Sequence, residues 1–302
     1  MSDVQCKCLR WAFRVGSWDP SRREWLLAVQ STQIEEVSRA NKYIYKDDAK
    51  TAIAGRLMLR KAISQCLNVP WAQIKLGRTH RGKPYLINPK DIANFSFNIS
   101  HHGEFVVLGT SCTESVGVDV MRVAPPRGKT VSEYIDLMKR QFSEREQSAL
   151  LSLSDPEDIM TLFYRNWTLK ESYIKATGLG LYQSLPDLDF AIPTPELSTP
   201  GSLLTTTSTL TLEGEDTSNH WRFEECMIDS EHVCTVCVDF PTAPEHCISR
   251  NRDVELSMRF QQKSFRDIVA GAQPLHCPAN AEWTNLQARP DKPKPKSQTL
   301  AN

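Results

Sequence analysis

No run of about 18 apolar residues occurs anywhere in the 302-residue chain, so no segment has the makings of a bilayer-spanning helix. The first residues, MSDVQCKCLRWAF, lack the long apolar core of a secretory signal. Net charge is missing as well, because 36 Lys and Arg balance 36 Asp and Glu. With neither sign in excess, nothing global favours nucleic acid or an anionic membrane surface. The nine cysteines have no disulfide-scaffold rhythm, and their odd number suits a reducing compartment. Cys6 with Cys8 and Cys234 with Cys237 have the closeness of metal or redox pairs. HVCTVCVDF, however, alternates like a strand, and an odd offset sends Cys234 and Cys237 to opposite faces, where they cannot share a ligand sphere. The residues show no internal repeat. The expectation is a soluble, cytoplasmic protein.

What is present is a globular composition, 40% hydrophobic and 24% charged. The length fits one large unit, or two moderate ones with a tail. EWLLAVQ reads as a short buried strand, and a helix is expected over Ile34–Ala40. A longer helix starts at Asp47 and Asp48, keeps its period through Ala49, Ile53, Leu57, Arg60 and Ile63, and stops at Asn68 and Pro70. Strands near residues 74–76 and 84–87 flank the basic loop RTHRGK. In NFSFNIS, Phe95, Phe97 and Ile99 alternate with Ser96, Asn98 and Ser100; with FVVLGTS this predicts a hairpin over residues 94–111 that carries Ser100, His101 and His102 at its tip. VGVDVM is a third strand, with Val116, Val118 and Val120 on one face and Gly117, Asp119 and Met121 on the other. Helical periodicity returns over residues 132–153, with Ser143 as a cap. A long helix then runs from about residue 159 to 177, ended by Gly178 and Gly180. Residues 191–220 read as a loop with one short strand, followed by strands around Trp221 and Cys234. Beyond Pro241 the pattern weakens to one amphipathic candidate, FRDIVAGA, and RPDKPKPKSQTLAN has the composition of a disordered tail. The fold class is therefore α+β. Two similar halves, residues 1–112 and 113–240, each offer one long helix and a small, mostly antiparallel sheet, and residues 241–302 form an extended, partly disordered tail.

Four constellations carry chemistry. Glu171 and Lys175 lie one helical turn apart on the row that begins with Phe163 and Trp167, so an aromatic stripe passes into a charged one. Charges that continue an apolar stripe point into the interior or a cleft, where they need a partner such as a metal or a phosphate. Asp119 is a carboxylate in a short strand whose other face is all valine. Together with Glu171 it would suffice for Mg²⁺, which binds one or two carboxylates and keeps waters and phosphate oxygens. The loop Arg78, Thr79, His80, Arg81, Gly82, Lys83 supplies forked cationic donors around a glycine that lets a ligand approach the backbone. Ser100, His101 and His102 add donors for a phosphate monoester. Together these residues describe a site for a pyrophosphate and a further phosphate, bridged by a divalent ion.

FNISH, VGVDV and WTLKESYIKATGLGL, in that order, resemble the signature stretches of the Sfp-type 4′-phosphopantetheinyl transferases, whose core reads G-[IV]-D and then W-x-x-K-E-[SA]-x-x-K. The match covers about residues 9–240 and is nearest the broad-range animal members. The resemblance implies a monomer with coenzyme A in the cleft between the halves. It also implies transfer of 4′-phosphopantetheine to a serine of an apo carrier protein, with release of adenosine 3′,5′-bisphosphate. Asp119 and Glu171 match the family's Mg²⁺ ligands and Lys175 the lysine at the pyrophosphate. Arg39, the loop from Arg78 to Lys83, and Asn98, Ile99, Ser100 and His101 match the coenzyme-binding segments, with Ser100 and His101 at the 3′-phosphate. Glu171 or a metal-bound water takes the serine proton. The implied partners are the acyl carrier regions of fatty acid synthase, the mitochondrial carrier protein, aminoadipate-semialdehyde dehydrogenase and formyltetrahydrofolate dehydrogenase. Met121 stands where bacterial members carry a second acid, and a thioether is a poor ligand for a hard cation. Two other readings remain open: a non-catalytic carrier-protein binder, and a Mg²⁺-dependent phosphohydrolase.

Overall fold

The computed structural model describes residues 8–90, 92–193, 197, 204–239 and 259–293. Its core is four layers deep: helix, sheet, sheet, helix. The first sheet has the order β12 (Gln261–Gln262), β1 (Arg10–Arg14), β5 (Phe105–Ser111), β4 (Ser96–His102), antiparallel except for β1 with β12. The second has the order β10 (Trp221–Met227), β11 (His232–Asp239), β6 (Val116–Arg122), all antiparallel. Alternation explains the stacking. Val106 and Leu108 of β5 face α3 (Lys46–Leu67), while Phe105 and Val107 turn the other way and join Val116, Val118 and Val120 in a core between the sheets. Across the second sheet lies α6 (Pro156–Thr177), whose Leu169 and Tyr173 pack with Phe223 and Cys237.

Both long helices end as the sequence predicts, with Asn68 and Gly178 in the left-handed region that closes a helix. Ser143 caps α5 (Glu144–Leu151), which follows α4 (Val131–Met138). Two small units complete the fold, the hairpin of β2 (Lys75–Arg78) with β3 (Pro84–Asn88), and the sheet of β7 (Leu188–Ala191), β8 (Thr209–Leu212) and β9 (Glu215–Asp216). Cys234 and Cys237 do face opposite ways, one into the core between the sheets and the other under α6. Cys6 lies outside the described residues.

Two expectations need correction. EWLLAVQ is not a strand but most of α1 (Arg22–Gln30). Ser21 accepts from the Glu24 N–H while the Glu24 carboxylate takes the Ser21 N–H, and this reciprocal cap starts a helix whose Trp25, Ala28 and Val29 have helical spacing on its buried face. α2 (Ile34–Ala40) follows as expected. The segment after residue 258 is not simply extended. β12 joins β1, and α7 (Phe265–Ile268) and α8 (Ala281–Gln287) place Ile268 and Leu286 in the core under α3, both fully buried. Beyond α8, Pro290 O accepts from Lys46 N and Lys292 pairs with Asp48. Residues 241–258 and 294–302 lie outside the described residues.

Candidate active site

The edge strands β4 and β6 abut, and side chains join them. Asn98 Oδ1 accepts from Val118 N at 3.1 Å, and His102 Nδ1 accepts from Arg122 N at 2.8 Å. Between these two stitches Ser100 meets Asp119. Ser100 Oγ donates to Asp119 Oδ1 at 2.9 Å, and from α6 Lys175 Nζ donates to both, at 2.8 Å to Ser100 Oγ and 2.5 Å to Asp119 Oδ1. Three elements thus close a triangle of hydroxyl, carboxylate and ammonium.

Gly117 is what brings α6 this close. A Cβ there would lie 1.9 Å from Ser172 O and 2.5 Å from Ala176 N. Only glycine lets the helix backbone rest on the strand, two residues before Asp119 and on the same strand face. Phe163 and Trp167 stack at 6.1 Å further up the same helical row, so the aromatic stripe does pass into Glu171 and Lys175. Lys170, the residue before Glu171, turns into the core instead. Its ammonium pairs with Glu146 and donates to Leu185 O and Leu188 O, which leaves Glu171 and Lys175 on the site side.

The centre has one ammonium for two carboxylates. Asp119 Oδ2 is buried without a hydrogen-bond partner. Burial pushes the Glu171 carboxyl above its ordinary range and the charge of Asp119 adds to this, with Lys175 only partly opposing. An orphaned carboxylate oxygen beside a second carboxylate that resists ionisation suits a hard cation bound through oxygen. Among the described residues no three His, Cys, Asp or Glu side chains converge, so a cation here would draw on these two carboxylates and on oxygens from elsewhere.

The remaining candidates are placed differently from one another. Ser100 is buried in β4 rather than at a hairpin tip; the turn itself is Gly103 and Glu104. Ile99 is a packing residue, its Cδ1 against α3 at Gly55. His101 lies on the opposite strand face from Ser100, near Asp48 and Lys292, so the two do not converge side by side; partial burial, then the charge of Lys175, hold its imidazole toward the neutral form. In the basic loop, Gly82 has φ +81°, a turn conformation that favours glycine, and the position of its Cβ faces open space. Thr79 closes that turn, accepting from Gly82 N and donating its own N–H to Lys83 O. Arg81 donates to Gly178 O and Leu179 O and lies over the Tyr182 ring, while Lys83 Nζ donates to Lys175 O at 2.9 Å. Both cations thereby satisfy carbonyls at the C-terminal end of α6. His80 is exposed. Arg78 forms a two-pronged pair with Glu36, and Arg39 is exposed on α2 nearby.

Sequence reasoning missed Glu36 and Arg56, which are buried beside Arg78. The available signal was a charge inside the apolar run AIAGRLMLR, where Arg60, read as part of the stripe, is itself buried and bonded to Gln33 and to two carbonyls.

The chain matches a known class. Residues 16–113 match the family described as 4′-phosphopantetheinyl transferase, N-terminal, and residues 115–237 match the 4′-phosphopantetheinyl transferase superfamily. The chain belongs to that superfamily and is a transferase of this kind. It is 42% identical over 273 residues to the L-aminoadipate-semialdehyde dehydrogenase-phosphopantetheinyl transferase of Mus musculus, covering 88% of this chain and 87% of that one. The Homo sapiens protein of the same name is 40% identical with the same coverage. A 4′-phosphopantetheinyl transferase of Bacillus subtilis is 31% identical over 158 residues, 52% of this chain and 64% of the relative.

Proposed function

We propose that the chain transfers the 4′-phosphopantetheine group of coenzyme A to a serine hydroxyl of apo carrier proteins, releasing adenosine 3′,5′-bisphosphate. The observation that carries this is the meeting of Ser100, Asp119 and Lys175 at the abutting strand edges, with Glu171 one turn away and Asp119 Oδ2 unmatched. In the reaction the serine oxygen forms a bond to the β-phosphorus, the bond from that phosphorus to the bridging oxygen breaks, and the bisphosphate leaves with the electron pair. Such in-line transfer needs positioning and neutralisation of charge more than covalent help. Asp119 and Glu171 would hold Mg²⁺, which when bound supplies charge neutralisation at the pyrophosphate. Lys175 exchanges its bond to Ser100 for one to a pyrophosphate oxygen and offsets charge on the leaving group. Glu171 takes the serine proton at a carboxylate oxygen. Arg81 and Lys83 hold the end of α6, and so Lys175, against the loop that closes the site.

Carriers in this reading are the acyl carrier regions of fatty acid synthase, a mitochondrial carrier protein, formyltetrahydrofolate dehydrogenase and, following the names of the relatives, L-aminoadipate-semialdehyde dehydrogenase. The protein acts as a cytosolic monomer. The test is incubation with coenzyme A, Mg²⁺ and an apo carrier: transfer adds the mass of one phosphopantetheine group to the carrier, whereas bisphosphate release without that gain identifies hydrolysis, and neither product identifies a binder. Glu171→Gln, uncharged and nearly the same size, should lose most of the turnover while still binding coenzyme A. Turnover close to wild type would remove Glu171 from the mechanism.

A further inference from the structure

Under α6 a row of buried polar side chains crosses the second sheet. Asp119 of β6 stands opposite Thr235 of β11, and Thr235 stands opposite Glu225 of β10. Residues directly opposite one another share a sheet face, so all three point at the helix. α6 answers two of them with side chains about one turn apart. Arg165 pairs with Glu225 at 3.1 Å, and Thr168 Oγ1 lies 2.8 Å from Thr235 Oγ1. Thr168 gives its one hydroxyl proton to Arg165 O at 3.0 Å, which makes Thr235 the donor within the pair. Both threonines are fully buried. The mechanism gives neither of them a task.

Stability alone gives little reason for such a pair, because two apolar groups of the same shape would serve about as well. Distance is what sets the hydroxyls apart. Their oxygens meet at 2.8 Å, whereas two methyl groups rest at about 3.5–4.0 Å, so the hydroxyl pair seats α6 about 1 Å nearer β11 than valines could. Gly117 does the same one turn further along, under Ser172 and Ala176. Glu171 and Lys175 follow Thr168 by three and seven residues, so both ride on the side of the helix that Thr168 anchors. We propose that Thr168 and Thr235 are a positioning pair for the transfer reaction: their bond fixes the separation between Glu171 on the helix and Asp119 on the strand at which both carboxylates can hold one divalent cation. This rests on the proposed function, which assigns the cation to those carboxylates. Each threonine acts through the element it pins.

Mn²⁺ titration followed by the paramagnetic resonance of the free ion, with coenzyme A present, tests this on the wild type and on Thr168→Val/Thr235→Val, where methyls replace both hydroxyls. The double valine variant should bind Mn²⁺ about tenfold to a hundredfold more weakly, the scale set by groups that orient metal ligands. Its Mg²⁺ requirement for half-maximal carrier modification should rise by a similar factor. Thr168→Ser/Thr235→Ser keeps the hydroxyls and should bind Mn²⁺ as the wild type does. Leu286→Ala, which loosens the core under α3 instead, should lower the melting temperature and leave Mn²⁺ affinity unchanged, and this separates positioning from stability. Undiminished affinity in the double valine variant overturns the proposal, and so does an equal loss in Leu286→Ala. Should the double valine variant not fold, Thr235→Val alone decides: its affinity should fall while Thr235→Ser keeps that of the wild type, and equal affinities overturn the proposal. A wild type that binds no Mn²⁺ takes the cation out of the proposed function and this pair's role with it, an outcome distinct from any difference among the variants.

Discussion

Gly117→Ala tests the close seating of α6 on β6 with the smallest available change. The added methyl would sit 1.9 Å from Ser172 O and 2.5 Å from Ala176 N, both backbone atoms that cannot rotate away. Real Cβ atoms essentially never approach within 3.0 Å, so helix and strand must part by about 1 Å. Overpacking of this kind costs about 1–3 kcal/mol of stability. The effect on chemistry should be larger, because Asp119 rides on the strand and Glu171 and Lys175 on the helix, and a ~1 Å error in placing reactive groups costs about a hundredfold in rate. Gly109→Ala is the control. Its methyl would meet Val116, Val118 and Val236 at 3.7–3.8 Å, ordinary contact distances. Carrier mass gain per unit time, measured well below the melting temperature, should therefore fall about a hundredfold in Gly117→Ala and stay near wild type in Gly109→Ala. If both variants turn over alike while Gly117→Ala is folded, the helix does not rest on the strand as described, or its position does not govern the site.

Glu36 yields a pH dependence. Burial by itself would raise its carboxyl, but the hydrogen bonds from Arg78 and the charges of Arg56, Arg78 and Arg39 bring it below the ordinary value. A depressed folded-state value stabilises the protein above the unfolded-state value, and this contribution is lost as pH falls through the folded one. Glu36→Gln should cost roughly 3–5 kcal/mol at neutral pH, and the gap in urea midpoint should close in acid; a gap independent of pH would mean the ion pair is not its source. Leu286→Ala should cost about 2–5 kcal/mol, and hydrogen exchange should show the loss of protection in β1 and α3, with β6 and β11 retained. Uniform loss across both sheets would contradict the docking of α8 against α1 and α3.

The site was more legible in the sequence than its surroundings were. Asp119 and the Glu171 and Lys175 pair announced themselves because strand and helix periods assign faces locally, and a charge on an apolar face stands out. α1 was misread because a short apolar run fits either period, and the deciding signal, the Ser21 to Glu24 cap, lies before the run. Arg81 and Lys83 read as free cations because nothing local reveals that their partners are helix carbonyls about 100 residues on. Glu36 escaped for the same reason, its burial being set by the packing of α2 against α3 and β2, whereas Arg56 stood inside the apolar run AIAGRLMLR and was passed over. Likewise Ile268 and Leu286 sit in weakly patterned sequence, and only the surface they fill makes them core residues.

The return of β12, α7 and α8 to the first sheet has a consequence for the order of events during synthesis. Residues 113–239 carry the whole of the second sheet and α6, so that part can close as soon as it is made. The first-made part cannot. Its sheet lacks an edge strand until residues 261 and 262 emerge, and the hydrophobic surface under α3 stays open until Ile268 and Leu286 arrive. Domains ordinarily fold as they leave the ribosome, the earliest first. Here the sheet made first gains its last strand, and the core under α3 its last residues, only once residues 261–286 have emerged, so a nascent chain paused before residue 260 should leave that apolar surface open to a chaperone.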